Sequence, residues 1–197
     1  SDLFGVACGE KNILFTNNDS AYETAISLIQ KGIKVEAIID NRENVESKLL
    51  YDIEKNNIKV FKGYTIINTS GYKRINKVSI MQLSKDGQKV VGSKINLDCD
   101  CLGMSGGWTP AVHLFTQSGG KLKFRDEDQV FIPNIYPSDQ LSIGACNGDL
   151  NLDEILLNIP QSLREFLKIK NTDYDNLEIL SASNKSKRNI WLLPSDK

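Results

Sequence analysis

The strongest constraint on this chain is an alternation of short apolar runs and helical stripes at its start. "NILFT" (12–16) is a compact apolar run, and a helical pattern follows with Ala21, Tyr22, Ala25, Ile26, Leu28 and Ile29 on one face and a stop at Gly32. "KVEAIID" (34–40) predicts a second buried strand, 44–56 a second helix and "IKVF" (58–61) a third strand. A β-α-β-α-β order with short joins requires parallel strands and right-handed crossovers, so the expected fold is α/β and Rossmann-like.

The rhythm then changes. Residues 64–69, 74–83 and 88–97 are strand-like, and Asp86-Gly87 in the join "KDGQ" is a hairpin signal, so an antiparallel β-meander is expected beside the parallel sheet. "CDCLGMS" (99–105) predicts another buried strand, Gly106-Gly107 a break, 108–118 a short helix or loop, and "QLSIGA" (140–145) a late strand. Asn151 with Glu154 forms a capping box for a helix carrying Leu152, Ile155, Leu156 and Ile159; Pro160 interrupts or kinks it before Leu163, Phe166 and Leu167 continue the stripe. From Asn171 the chain is polar until "IWLLP" (190–194), which suggests a linker with a small docking strand.

Charge excludes several partners. With 24 basic and 25 acidic residues among 197, the net charge of -1 offers no basic field for nucleic acid and no polybasic patch for a membrane surface. No apolar run approaches the roughly 20 residues that span a bilayer, and "SDLFGVACGE" lacks the order of a secretory signal, so a cytoplasmic protein is expected. Cys8, Cys99, Cys101 and Cys146 are too sparse for a disulfide framework.

The candidate chemistry lies in "ILFTNNDSAYETA" (13–25), which occupies the place of a glycine-rich phosphate loop yet contains no glycine. Laid on G-x-G-x-x-G/A it gives Thr16, Asn18 and Ala21, and only the third place keeps the small residue that close helix–strand packing requires. Two readings stand side by side. In one, Thr16, Asn17, Asn18, Ser20 and Ala21 contact a nucleotide at the positive end of a helix, and Asp40 at the end of the second strand meets its ribose. In the other, Ser20-x-x-Glu23 is a capping box that explains the polar cluster without a ligand.

"CLGMSGGWTPAVHLFTQSGGKLKFRDEDQVFIP" (101–133), with "ILFTNNDSAYETA" and "LSIGACNGDLNLDEIL" (141–156), resembles the α subunit of heterotetrameric sarcosine oxidase, "SGGWTPAVHLF" followed by "GKL" being the discriminating match. The resemblance covers residues 4–168, and "IWLLP" is similar to the segment before that family's folate-binding domain. It implies a fold of the disulfide-oxidoreductase flavoprotein type, in which one dinucleotide domain is inserted into another. These residues would then be a fragment: 1–105 the inserted NAD(P)-binding-like domain, 106–168 the returning end of the flanking dinucleotide domain, and 169–197 a linker toward a folate-binding domain. The resemblance further implies a parent complex that demethylates sarcosine to glycine, yielding hydrogen peroxide and, with tetrahydrofolate, methylenetetrahydrofolate. NAD would sit on the α subunit, FAD and FMN in the complex, and β, γ and δ subunits would be the partners, with no catalytic residue and no metal ligand in this chain.

Two departures bear on the cofactor. In "LSIGACNGDL" Ala145 stands where an acid would hold a ribityl or ribose, although Gly144 and Gly148 could let the chain pass close to a nucleotide; a glycine turn before a capped helix is the alternative. Gly106-Gly107 with Pro110 resembles the crossing between the two domains, as a contact or as a plain turn. Cys99-x-Cys101 lacks a second pair of suitable spacing and is expected to be structural. His113, the single histidine, lies on an apolar segment, and "KFRDEDQ" (123–129) is expected to be a solvated turn. A second hypothesis makes the chain a subunit-docking scaffold with Trp108, His113 and Phe115 facing a partner, and related opine, proline or cyanide-forming glycine-oxidising complexes share the architecture.

Overall fold

A computed structural model of the chain describes residues 4–46, 48–137 and 139–168. They fall into two compact units, the first ending at Gly107 and the second beginning at Trp108.

In the first unit, strands β1 (Asn12–Thr16), β2 (Val35–Asp40), β3 (Lys59–Lys62) and β7 (Cys101–Ser105) form a sheet in the order β3-β2-β1-β7, every pair parallel. Helices α1 (Ser20–Gln30) and α2 (Leu50–Lys55) make the crossovers. Strands β4 (Tyr64–Gly71), β5 (Ile75–Leu83) and β6 (Val90–Asp98) form a separate antiparallel sheet. The alternation of side chains along β1 and β2 divides the core. Leu14 and Ile38 point to α1 and α2, where they meet Tyr22, Ala25 and Ile53. Ile13, Phe15, Ala37 and Ile39 point the other way, onto Val78 and Ile80 of the meander. The result is a three-layer α/β arrangement of helices, parallel sheet and meander, as the alternation predicts. Each fully buried Ile or Leu contributes about 1.5–3 kcal/mol to it.

Two expectations in this unit need adjustment. The second helix does not span 44–56: it is confined to Leu50–Lys55. Val45 still reaches the core, from the loop before it. The strand expected over 99–105 begins at Cys101 and is half-buried, since β7 is an edge strand with Met104 exposed.

The second unit holds α3 (His113–Gln117), a hairpin of β8 (Lys121–Arg125) and β9 (Val130–Ile135), a 3-10 helix over Gly144–Asn147 and α4 (Leu152–Leu167). "KFRDEDQ" is therefore not simply a solvated turn. Its first three residues close β8, and Asp128 is buried where it accepts from Arg125 Nε at 2.7 Å. The strand expected at 140–145 is absent, because Gly144 adopts φ +76° and turns the chain into the 3-10 helix. The helix expected from Asn151 forms, with Asn151 Oδ1 accepting from Asp153 N at 3.2 Å and its amide donating to Glu154 at 3.0 Å. Pro160 does not end it. The polar tail from Asn171 and "IWLLP" lie outside the described residues. Among those described, no helix is long and apolar enough to cross a membrane.

Candidate functional site

The loop from β1 to α1 starts at the carboxyl end of the parallel sheet, where an α/β fold places its ligands. In this chain the loop is filled by its own side chains. Thr16, fully buried, accepts from Asn18 N at 3.1 Å and donates to Asn18 O at 2.7 Å, closing the turn that a glycine would otherwise make. Asn17 donates to Gly106 O at 2.8 Å and accepts from the Asn18 amide at 2.7 Å. The same amide reaches Ser105 Oγ at 3.4 Å, and Ser20 Oγ lies 3.1 Å from that hydroxyl. Thr16, Asn17, Asn18, Ser20, Ser105 and Gly106 thus brace the loop against the end of β7. Gly107, at φ +105°, passes so close that a Cβ there would stand 3.3 Å from the Asn17 amide.

The helix start differs from the expected box. Ser20 is the first residue of α1 and not its cap; Ser20 N donates to Asn18 Oδ1 at 2.9 Å. Asn18 therefore supplies the acceptor for an otherwise unpaired N–H of the first turn. Ala21, buried at the helix start, allows the close helix–strand packing its small size predicts.

Asp40 is brought to this end of the sheet, but its carboxylate is already engaged. It is fully buried and accepts from Tyr22 OH at 2.9 Å, from Arg42 N at 2.9 Å and from Arg42 NH2 at 2.7 Å. Arg42 reaches on to Asp19, NH1 to Oδ1 being 2.8 Å, so one guanidinium joins the last residue of β2 to the residue before α1. Burial works against the Arg42 charge, but its bonds to Asp40 and then Asp19 prevail and hold its pKa above the ordinary value. Burial and then the Asp40 carboxylate push the Tyr22 phenol well above its usual range. Asp19, Tyr22, Arg42 and Ser105 were not foreseen. The available sequence signal was Asp40-x-Arg42, an acid and a base two residues apart after a buried strand.

In the second unit, Gly144 and Gly148 shape a turn. Gly148, at φ +89°, ends the 3-10 helix, and its carbonyl accepts from Arg125 NH2 at 2.8 Å; a Cβ there would lie 2.7 Å from Ile132 Cγ2. Gly144 faces Ile155. Trp108 and His113 are exposed, but Phe115 is buried and packs edge-on against Tyr136 at 5.0 Å, so Phe115 does not face outward as the docking hypothesis expected. Cys99 is buried among core side chains and Cys101 is half-buried. No group of three or more His, Cys, Asp or Glu among the described residues is placed to hold a metal ion.

No protein-family model matches the chain. Among curated proteins it is 28% identical to the sarcosine oxidase subunit alpha of Corynebacterium sp. (strain U-96), over 98% of this chain and 20% of that protein. It is 29% identical to the same subunit from Corynebacterium sp. (strain P-1), over 75% of this chain and 15% of that protein. The chain thus spans about a fifth or less of the length of the curated relatives it matches. Among solved structures, the thioredoxin reductase of T. acidophilum aligns with a TM-score of 0.51 and 16% identity, covering 80% of this chain and 52% of that one. The similarity to sarcosine oxidase α subunits suggested by residues 101–133 is therefore found along almost the whole chain, and the fold is of the thioredoxin-reductase type.

Proposed function

We propose that this chain is the dinucleotide-domain segment of the α subunit of a sarcosine-oxidase-type complex, and that it serves there as a structural domain. The observation that carries the reading is a similarity to that subunit running over 98% of the chain. On it, residues 1–105 are an inserted NAD(P)-binding-like domain, 106–168 the returning part of the flanking domain, and 169–197 a linker toward a folate-binding domain. The complex would demethylate sarcosine to glycine, reduce dioxygen to hydrogen peroxide and pass the one-carbon unit to tetrahydrofolate. NAD would be held elsewhere on the α subunit, FAD and FMN in the complex, and β, γ and δ subunits would complete it in the cytoplasm.

The β1–α1 loop does not fit a pyrophosphate. A cradle needs backbone N–H groups open to the ligand and no side chain between them and it. Here Thr16 and the Asn18 side chain take Asn18 N and Ser20 N, and Asp40 is enclosed by Tyr22 and Arg42. Titration of the chain with NAD in a calorimeter should give no saturable heat at micromolar concentrations; a micromolar Kd would overturn the structural role.

The complex is tested by co-expressing the complete α subunit with the neighbouring subunits and measuring substrate-dependent peroxide release. Sarcosine should be the preferred amine, whereas turnover of an opine, proline or glycine instead would move the chain to one of those related complexes. Trp108 and Leu114, 67% and 79% exposed, favour a second role in subunit docking. Replacing Trp108 and His113 together by Ala should weaken capture of the β subunit; unchanged capture would exclude that role.

A further inference from the structure

Where the N-terminal segment meets the start of β7, three of the four cysteines gather. The segment is fastened there by four hydrogen bonds: the Asp100 carboxylate accepts from Glu10 N at 2.9 Å and Lys11 N at 2.8 Å, and Lys11 O accepts from Asp100 N at 3.1 Å and Cys101 N at 3.4 Å. Gly9 lies so tightly on this corner that a Cβ would fall 2.6 Å from the Cβ of Cys101. Cys8 is one residue further and exposed. Adjacent Cα atoms are about 3.8 Å apart, so the Cα atoms of Cys8 and Cys101 stand within about 9.5 Å of each other. A disulfide needs about 4.4–6.8 Å, a closure of a few ångström by the exposed residues 4–8. Burial, then the neighbouring Cys8, raises the pKa of Cys101. Cys99 is packed in the core with Ile13 and Val78, and Cys146 belongs to the second unit.

We propose that Cys8 and Cys101 form a peroxide-responsive thiol pair, whose disulfide clamps the N-terminal segment onto the start of β7. The exposed Cys8 reacts first. Its thiolate attacks one oxygen of hydrogen peroxide, the O–O bond breaks, and the departing hydroxide takes a proton to become water, leaving Cys8 as a sulfenic acid. The Cys101 thiolate then attacks that sulfur, the S–O bond breaks, and the second hydroxide leaves as water with the proton that Cys101 sheds. Two thiols lose two electrons and two protons, and peroxide becomes two waters. The half-buried Cys101, with its pKa raised, suits the second step, because thiolate character governs which cysteine meets the oxidant. Peroxide would be at hand if the parent is the proposed oxidase, but the pair stands on its own geometry.

The test adds peroxide directly, so its failure is separate from that of the functional reading. The full chain is treated with an equimolar amount of hydrogen peroxide, free thiols are alkylated, and the protein is cut before Asp100 to separate Cys99 from Cys101. Non-reducing mass spectrometry should then find a Cys8–Cys101 peptide that vanishes with dithiothreitol and in Cys8→Ser, with Cys99 and Cys146 alkylated. In Cys101→Ser the link should be replaced by a Cys8 sulfenic acid trapped by dimedone; should that variant fail to fold, the unaltered chain's peptide map decides alone. Cys8 found as a sulfinic acid, linked to Cys146 or to a second chain, or alkylated beside an alkylated Cys101, would overturn the proposal.

Discussion

A guanidinium that is 4% exposed persists in a core only if carboxylates meet it, and Arg42 has two, Asp40 and Asp19. The pair with Asp40 is closed by Tyr22, so removing one member strands the others. Arg42→Met keeps the length of the side chain but leaves Asp40 buried without its cation. The expected loss is about 3–5 kcal/mol in urea-induced unfolding. Tyr22 adds a pH dependence whose sign follows from its shift. Its phenol is held above the ordinary value of 10.0 in the folded chain, first by burial and then by Asp40. Below pH 10 folded and unfolded states both keep the proton, and the contribution is fully present. Above it the unfolded chain releases the proton while the folded one retains it, so stability falls by up to about 1.4 kcal/mol per pH unit until the folded phenol itself titrates. Tyr22→Phe should flatten this alkaline slope in melts taken between pH 9 and 11. A slope equal to that of the unaltered chain would refute the coupling.

At the scale of the element, α1 begins on a borrowed acceptor: Asn18 Oδ1, two residues upstream, takes Ser20 N. Asn18→Ala should cost about 1 kcal/mol in thermal unfolding, the usual worth of a capping acceptor. Ser20→Ala should cost less, since among the described residues its hydroxyl makes only the contact with Ser105. This part of the site was half legible in the sequence. Periodicity located β1, α1 and β2, and the absence of glycine at 16 and 18 was plain, but which polar side chain would cap the helix depends on a backbone turn that Thr16 creates. Other elements failed for identifiable reasons. In β8, Lys121-Leu122-Lys123-Phe124-Arg125 leaves Phe124 exposed beside Phe131, so the strand lacks the apolar-inside signature. "LSIGA" has the composition of a strand but carries Gly144 at positive φ, which no hydrophobic pattern reports. The second helix shrank because 44–46 packs Val45 from a loop, and a single buried residue mimics a helical stripe.

On the scale of the whole molecule, the two units differ in how they are held. The first has a core on both faces of its parallel sheet. In the second, α4 has no buried residue along its 16 positions, although Leu152, Leu157 and Leu167 are 64%, 59% and 55% exposed. A helix of this length is marginal in water by itself, and Pro160 removes one of its internal N–H donors. Its cap at Asn151 offsets about 1 kcal/mol of that deficit. Stability should therefore be graded along the chain, with β1 and β2 opening only in global unfolding and α4 opening locally. Hydrogen exchange on the chain should show the amides of 13–16 and 35–40 protected at least about a thousand-fold more than those of 153–167. Adding the rest of the proposed α subunit should slow exchange in 153–167 and leave β1 and β2 unchanged, because α4 exposes a row of leucines whereas β1 and β2 are already buried. Equal protection of α4 and β1 in the chain alone would mean that the helix is already anchored, and that its exposed leucines have no part in joining this segment to a larger subunit.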